Sequence, residues 1–389
     1  MQSYFKQILE AKNLHQLHIE QFSLESIDKL REAINIFRAL RNEMLEVGIS
    51  SKHEISVKWD GAPAIVAGID PSNEGFFVST KSAFTKTPKV AYSVAETSQF
   101  KEAVGDKLST AFKYLSRINM DGVYQGDLMF TPSMKKIQNI EGVEYITFRP
   151  NTILYAVERK SELGIKIERA NFGIVFHTKY VGDKLSEMNS QPVTEVPFLK
   201  SNDVWWITAK MPQDASGKVN FTKEEAWIVT VKLNEVGRLF HQLTKQFYEG
   251  LKESNLDLAI ERTINKFIKS GSFIDDLGHF VIALKEMLPV ALSGKRAKMS
   301  MEFLQQNREK IIALMSIYKL LYDIKIIFLK KFNNLEMNVK SFVQDAEGFK
   351  ATTPEGFVIV NTNNGAITKL VDRLNFSRQN FTAAKEWGS

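Results

Sequence analysis

Short apolar runs divided by turn residues fill residues 51–210, give way to a helical pattern over 213–338, and resume after Val339. A period of two suits strands and a period of 3.6 suits helices, so this double change predicts an α+β chain whose strand-rich core is interrupted. Four stretches follow: an N-terminal helical segment (1–50), a first part of the core (51–212), a large all-α insertion (213–338) and a second part of the core (339–389).

Ser26 is placed to cap a helix with Leu30, Ala33, Ile34, Phe37, Leu40, Met44 and Leu45 on one face and Gly48 as its stop. His15 and His18 are spaced wrongly for one helix face and read as surface residues rather than metal ligands. In the core, strands are predicted around Val57, at Ala64-Ile65-Val66, Phe76 to Thr80, Gly122 to Phe130, Tyr145 to Phe148, Thr152 to Val157 and Phe172 to His177, with a helix over Glu96 to Arg117. Leu239 to Leu251 and Met301 to Lys331 read as long amphipathic helices. Near the end, Asn361 to Gly365 separates two apolar runs as an Asn-Gly hairpin turn does.

Composition removes several classes of function. The chain has 389 residues and no cysteine, which excludes thiol nucleophiles, disulfides and zinc–thiolate centres and fits a reducing, cytoplasmic setting. Met1 to Lys6 carries no apolar signal core, and the most apolar run, Ile311 to Phe328, is broken by Lys319, Asp323 and Lys325, so no membrane partner is expected. The formal charge of +6 leans toward a polyanion. Between Gly294 and Lys331, nine basic residues face three acidic ones, and Lys295, Arg296 and Lys298 open that stretch as candidate nucleic-acid contacts; a solvated helix face is the plainer reading of such a run. No Gly-x-x-x-x-Gly-Lys-Ser/Thr, His-Glu-x-x-His or Gly-x-Ser-x-Gly pattern is present.

Lys58-Trp59-Asp60-Gly61 is the stretch that carries chemistry. A lysine at the end of a buried strand is a candidate nucleophile, and it attacks only as the neutral amine, so desolvation or nearby positive charge must lower its pKa. Taken alone, the tetrad is a weak signal.

The tetrad resembles the nucleotide-accepting motif of the covalent nucleotidyltransferases, the superfamily of ATP-dependent DNA and RNA ligases and mRNA capping enzymes. Five further segments follow in that family's order. Thr80-Lys81-Ser82 is similar to the short basic motif after the nucleophile strand, and Gly126-Asp127-Leu128 to the motif whose carboxylate holds the ribose. Phe172 to His177 resembles the strand whose aromatic residue, here Phe172 or Phe176, stacks on the base. Glu355-Gly356-Phe357-Val358 matches the metal-serving glutamate motif, and Ile367 to Val371 the motif whose lysine, Lys369, grips the α-phosphate. Three positions depart from the pattern: aspartate replaces glutamate at Asp127, His177 stands where an aspartate is common, and Val371 takes the place of a second lysine.

The resemblance implies an antiparallel, ATP-grasp-like ligase core. It also implies a lysine–AMP intermediate on Lys58, with ATP and Mg2+ or Mn2+ as cofactors. Lys58, Asp60, Glu355 and Lys369 would be catalytic, Glu355 with Asp60 would hold the metal, and Lys58, Gly61, Lys81, Asp127, Phe172, Phe176 and Lys369 would contact the nucleotide. Bacteriophage RNA ligases are similar in length and in pairing the core with helices. Only Asp372 to Ser389 follow the last lysine motif, too few for the β-barrel that many DNA ligases and capping enzymes carry there. The expected activity is therefore joining of 5′-phosphate to 3′-hydroxyl ends, of RNA before DNA. DNA nick sealing, capping guanylyl transfer, and a nucleotide- or RNA-binding protein that lost turnover stay open as alternatives.

Overall fold

The computed structural model describes residues 17–46, 53–193, 195–208, 215–216, 220–274, 276–334, 336–337, 339–345, 348–361 and 367–377. His15, the helix stop at Gly48 and the turn residues Thr362 to Gly365 lie outside them.

A turn at Ile19–Gln21 and α1 (Phe22–Glu25) lead into α2 (Ile27–Glu46). The Ser26 hydroxyl accepts the Lys29 amide at 3.1 Å, and Leu30, Ala33, Ile34, Phe37, Leu40 and Met44 form the buried stripe. Then come β1 (His53–Val57), β2 (Ala64–Ile69), β3 (Phe76–Ser79), α3 (Glu102–Leu115), β4 (Val123–Phe130), β5 (Lys135–Ile140), β6 (Val143–Phe148), β7 (Leu154–Glu158), α4 (Glu162–Arg169), β8 (Phe172–Val181), β9 (Asn189–Pro192), β10 (Val204–Thr208) and β11 (Ala215–Ser216). Six helices follow: α5 (Lys223–Phe240), α6 (Lys245–Glu253), α7 (Leu256–Lys269), α8 (Leu277–Ala291), α9 (Gly294–Gln306) and α10 (Arg308–Phe332). The chain returns to strands with β12 (Glu336–Met337), β13 (Val339–Asp345), β14 (Gly348–Thr352), β15 (Gly356–Asn361) and β16 (Ile367–Val371).

The strands form four sheets, ordered β1-β15-β16, β10-β8-β4-β2-β3 with β9 on β8, β14-β13-β7-β6-β5, and β11-β12. Every pairing is antiparallel except β8 with β10. The protein is thus a mixed helix and sheet structure with predominantly antiparallel strands. β15 and β16 are the expected hairpin arms. By contrast β1 and β2, adjacent in sequence, belong to different sheets, so the segment from Lys58 to Pro63 is a crossing between them.

Two expected helices are each divided. Thr244 caps α6 by accepting the Phe247 amide, which ends the run from Leu239 to Leu251, and Asn307 separates α9 from α10. The helices also share a hydrophobic core with their neighbours. Phe37 of α2 stacks on Phe328 of α10, and Phe332 meets Phe357 of β15 edge-on, within one cluster that includes Leu233, Leu284 and Leu370. N-terminal helices, insertion helices and the β1-β15-β16 sheet therefore exclude water as one body. The other face of the core region has its own cluster, in which α3 covers Ile65, Ala67, Leu128, Phe172, Ile174 and Phe176.

Candidate active site

Lys58 follows β1 directly, and its amide donates to the Gly356 carbonyl at 2.9 Å, carrying the β1–β15 ladder one residue past the Val57–Phe357 pair. That register sets Lys58 beside Glu355. Gly356 is required there because a Cβ would lie 2.1 Å from the Leu370 carbonyl oxygen. The Lys58 ammonium forms an ion pair with the Glu355 carboxylate, both largely buried. Burial alone depresses the ammonium, but the charge and hydrogen bond of Glu355, backed by Asp127 and Asp60, more than offset it, and Lys58 is held above its ordinary pKa. The sequence argument required a lowered pKa; in the free site Glu355 keeps the lysine protonated.

After Lys58 the chain crosses to the second sheet. Trp59 is packed among Phe148, Tyr155 and Trp205. The Asp60 amide donates to the Tyr155 hydroxyl at 2.6 Å. Its carboxylate accepts from Asn151 Nδ2 at 2.9 Å and from the Thr152 hydroxyl at 2.9 Å. Asp60 thus anchors the crossing segment to the loop before β7, with both carboxylate oxygens accepting hydrogen bonds there. The Ala62 amide donates to the Leu128 carbonyl at 2.9 Å, and Leu128 returns a bond to Pro63 at 3.1 Å, which docks the segment on β4.

Asp127 lies on β4 opposite Ala64 of β2. Burial pushes its carboxyl up, while His177, Lys58 and Lys369 pull it down further, so it stays below the usual carboxylate value. Lys369, on β16 opposite Val358, is depressed to about 8 by burial first and by Lys58 next, with Asp127 and Glu355 opposing and Lys81 adding to the depression. Lys81 itself is exposed, at the start of the short turn Lys81–Phe84 after β3. The structure therefore gathers Lys58, Asp127, Glu355, Lys369 and Lys81, from β1, β4, β15, β16 and the end of β3, around one cluster of mutually interacting charges.

Other assignments are corrected. Phe172 and Phe176 are both 0% exposed on the face of β8 covered by α3, with Phe176 edge-on to Tyr124 and Phe198, and neither can stack on a base. The residue of β8 that reaches the charge cluster is His177, whose Nε2 lies 3.4 Å from Asp127 Oδ1. Its polarity in an otherwise apolar run was the available signal. Lys295, Arg296 and Lys298 are exposed on α9, which packs on α7, α8 and α10 inside the helical region, and the structure does not bring them to the cluster. Lys325 is not on a basic face at all: it is fully buried in an ion pair with Glu20 at 2.6 Å. His18 is not a surface residue either. Its backbone bridges to Lys369, its Nδ1 is sealed without a partner, and burial, then Lys325, Arg373, Lys58 and Lys369, hold the imidazole well below its ordinary pKa. Val371 is buried against the aromatic cluster around Trp59, where a lysine would have no water.

Among the described residues no group of three or more His, Asp or Glu side chains forms a metal cage. Glu355 and Asp60, both buried beside Lys58, are too few carboxylates for a cage and fit a hydrated Mg2+ or Mn2+ shared with substrate phosphates rather than one held by protein alone. No helix among the described residues is long and apolar enough to cross a membrane.

These features define a mixed α/β protein with a lysine-rich charge cluster where its sheets meet. A model described as a family of unknown function (DUF6267) matches residues 13–385, and the chain belongs to that family. No curated protein and no solved structure matches it.

Proposed function

We propose that the protein is a covalent nucleotidyltransferase that charges Lys58 with AMP and joins 5′-phosphate to 3′-hydroxyl ends, those of RNA before those of DNA. The observation that carries the reading is the meeting of Lys58, Asp127, Glu355 and Lys369, distant in sequence and brought together by strand register.

In this reading Lys369 and Lys81 attract the triphosphate. Glu355 is the residue to hold a divalent ion, which when bound supplies charge neutralisation on the phosphate oxygens. Once Glu355 turns from Lys58 toward another positive partner, burial becomes the dominant influence on that ammonium, and the proton leaves to solvent. The amine then attacks the α-phosphorus in line; an N–P bond forms as the P–O bond to the leaving pyrophosphate breaks. Lys369 stabilises charge on the α-phosphate oxygens.

The test is incubation with α-labelled ATP or GTP and magnesium or manganese, followed by denaturing electrophoresis. Label should stay on the wild type with ATP and vanish in Lys58→Ala; an unlabelled wild type overturns the reading. Two observations favour a second reading, a nucleotide-binding protein without turnover: Lys58 is held as an ammonium and Val371 is sealed in the core. Binding of ATP without labelling would select it.

The polynucleotide part rests on α9. Lys298 pairs with Glu302 one turn on at 3.9 Å, but Lys295 and Arg296 occupy the first turn of that helix, where the helix dipole disfavours cations, so the helix itself gives no reason for those two. Replacing all three by alanine should flatten the salt dependence of single-strand RNA binding by about two units of log–log slope. An unchanged slope would remove α9 from the strand path.

A further inference from the structure

Three carboxylates act on the Lys58 ammonium, in the order Glu355, Asp127, Asp60, and the one two residues away in the chain acts least. Among the described residues Glu355 alone pairs with it. What occupies Asp60 instead comes from the β14-β13-β7-β6-β5 sheet. Ile153, Tyr155 and Val157 alternate onto the face of that sheet that carries the aromatic cluster, with Leu154 and Ala156 on the other. A buried phenol needs a partner for its hydroxyl, and Tyr155, fully covered beside Trp59, finds the Asp60 amide at 2.6 Å. Just before the strand, Asn151 Nδ2 and Thr152 Oγ1 donate to separate oxygens of Asp60, each at 2.9 Å, and the Thr152 amide adds a contact at 3.4 Å. A carboxylate only accepts and an amide N–H only donates, so the Asn151 nitrogen faces Asp60, the Thr152 hydroxyl donates and the Tyr155 oxygen accepts. With Asp60 8% exposed, little water is at hand to replace a lost donor.

Neutral donors satisfy a buried carboxylate without neutralising it, so one deprived of them turns to a buried cation, and Lys58 is the cation next to it in the chain. We propose that Asn151, Thr152 and Tyr155 are positioning residues for the nucleophile: by holding Asp60 on the loop before β7 they leave the Lys58 amine to Glu355, aimed into the charge cluster with Asp127 and Lys369 rather than back onto the crossing segment. The amine is thus placed by three sheets: β15 takes its backbone, β4 takes the end of the crossing segment, and the edge of β7 takes the competing carboxylate. The effect on reaction rate rests on the nucleotidyltransferase reading; the aim of the amine does not.

The experiment uses the full-length chain and three substitutions of nearly constant shape. Thr152→Val removes the hydroxyl, Thr152→Ser keeps it, and Tyr155→Phe removes only the phenol oxygen. Labelling of Lys58 by α-labelled ATP is followed in single turnover. Thr152→Val and Tyr155→Phe should lower the rate at saturating ATP by about tenfold to a hundredfold and leave the half-saturating ATP concentration unchanged, because a misplaced amine penalises attack and not binding. Thr152→Ser should label as the wild type does. A second arm needs no nucleotide: crystal structures should show the Lys58 ammonium on Glu355 in the wild type and on Asp60 in Thr152→Val. Asn151→Ala, at a half-buried position, serves both arms if Thr152→Val does not fold. A wild-type rate in either folded variant, an equal loss in Thr152→Ser, or an amine still on Glu355 in Thr152→Val overturns the positioning role while leaving the nucleotidyltransferase reading intact. A wild type that takes no label sinks that reading, and the crystallographic arm then decides the aim of the amine by itself.

Discussion

Lys369 carries the clearest pH signature in the molecule. Its pKa falls from the ordinary lysine value of 10.5 to about 8 because burial and the neighbouring Lys58 both disfavour its charge. The unfolded chain still binds that proton between about 8 and 10.5 while the folded one has lost it, so this group makes stability rise with pH through that window. The phosphate contact proposed for Lys369 runs the other way, since it needs the ammonium. ATP affinity measured by titration calorimetry should therefore fall as pH rises above 8, and Lys369→Arg, which stays charged, should bind at pH 9 as it does at pH 7. Affinity flat across that range in the wild type would remove Lys369 from the phosphate site. Lys58 is legible in the sequence from its place at the end of a strand, whereas Asp127 and Lys369, inside β4 and β16, are singled out only by the order of the motifs they resemble. The aromatic assignment was not legible. Alternation says that Phe172, Ile174 and Phe176 share a face, but it is α3, far away in sequence, that decides which face is dry.

Between β1 and β2, the crossing segment succeeds only because it can lie flat on β4. A Cβ at Gly61 would stand 2.7 Å from Asp127 Cβ, 2.9 Å from the Leu128 oxygen and 2.9 Å from Met129 Sδ. Gly61→Ala should cost about 1–3 kcal/mol in urea unfolding. Because the atom struck first belongs to Asp127, the variant should also lose ATP affinity under conditions where it is still fully folded; unimpaired binding would show that the two segments part without moving Asp127. Several strands escaped the sequence reading for a related reason. β5, at the rim of its sheet, exposes Lys136, Ile137 and Asn139 and fully buries none of its residues, and β14 is the opposite rim, so neither presents the apolar run that marks a central strand such as β15. A bulge in β8 at His177, between the Gly126–Phe176 and Gln125–Thr178 pairs, is likewise invisible in sequence, because one extra residue changes no composition.

At the scale of the whole molecule, the sequence pattern sets the helical region apart from the strands, yet the two share one hydrophobic core. Its deepest polar feature is the Lys325–Glu20 pair, with no exposure on either side chain, joining α10 to the turn before α1. Removing one member strands the other charge: Lys325→Met should cost about 3–5 kcal/mol, and adding Glu20→Leu should restore much of it, read by chemical denaturation. A double variant as unstable as the single one would mean that the pair contributes more than the apolar residues replacing it. Beside it, Arg373 donates to the Tyr318 hydroxyl at 2.9 Å and to Asn265 at 2.9 Å, and it lies four positions after Lys369. The helices thus hold one end of a short lever whose other end is Lys369. Any displacement of α7 or α10 is therefore transmitted through Arg373 to the aim of that buried amine, so the packing of the helices and the geometry of the charge cluster are one mechanical variable.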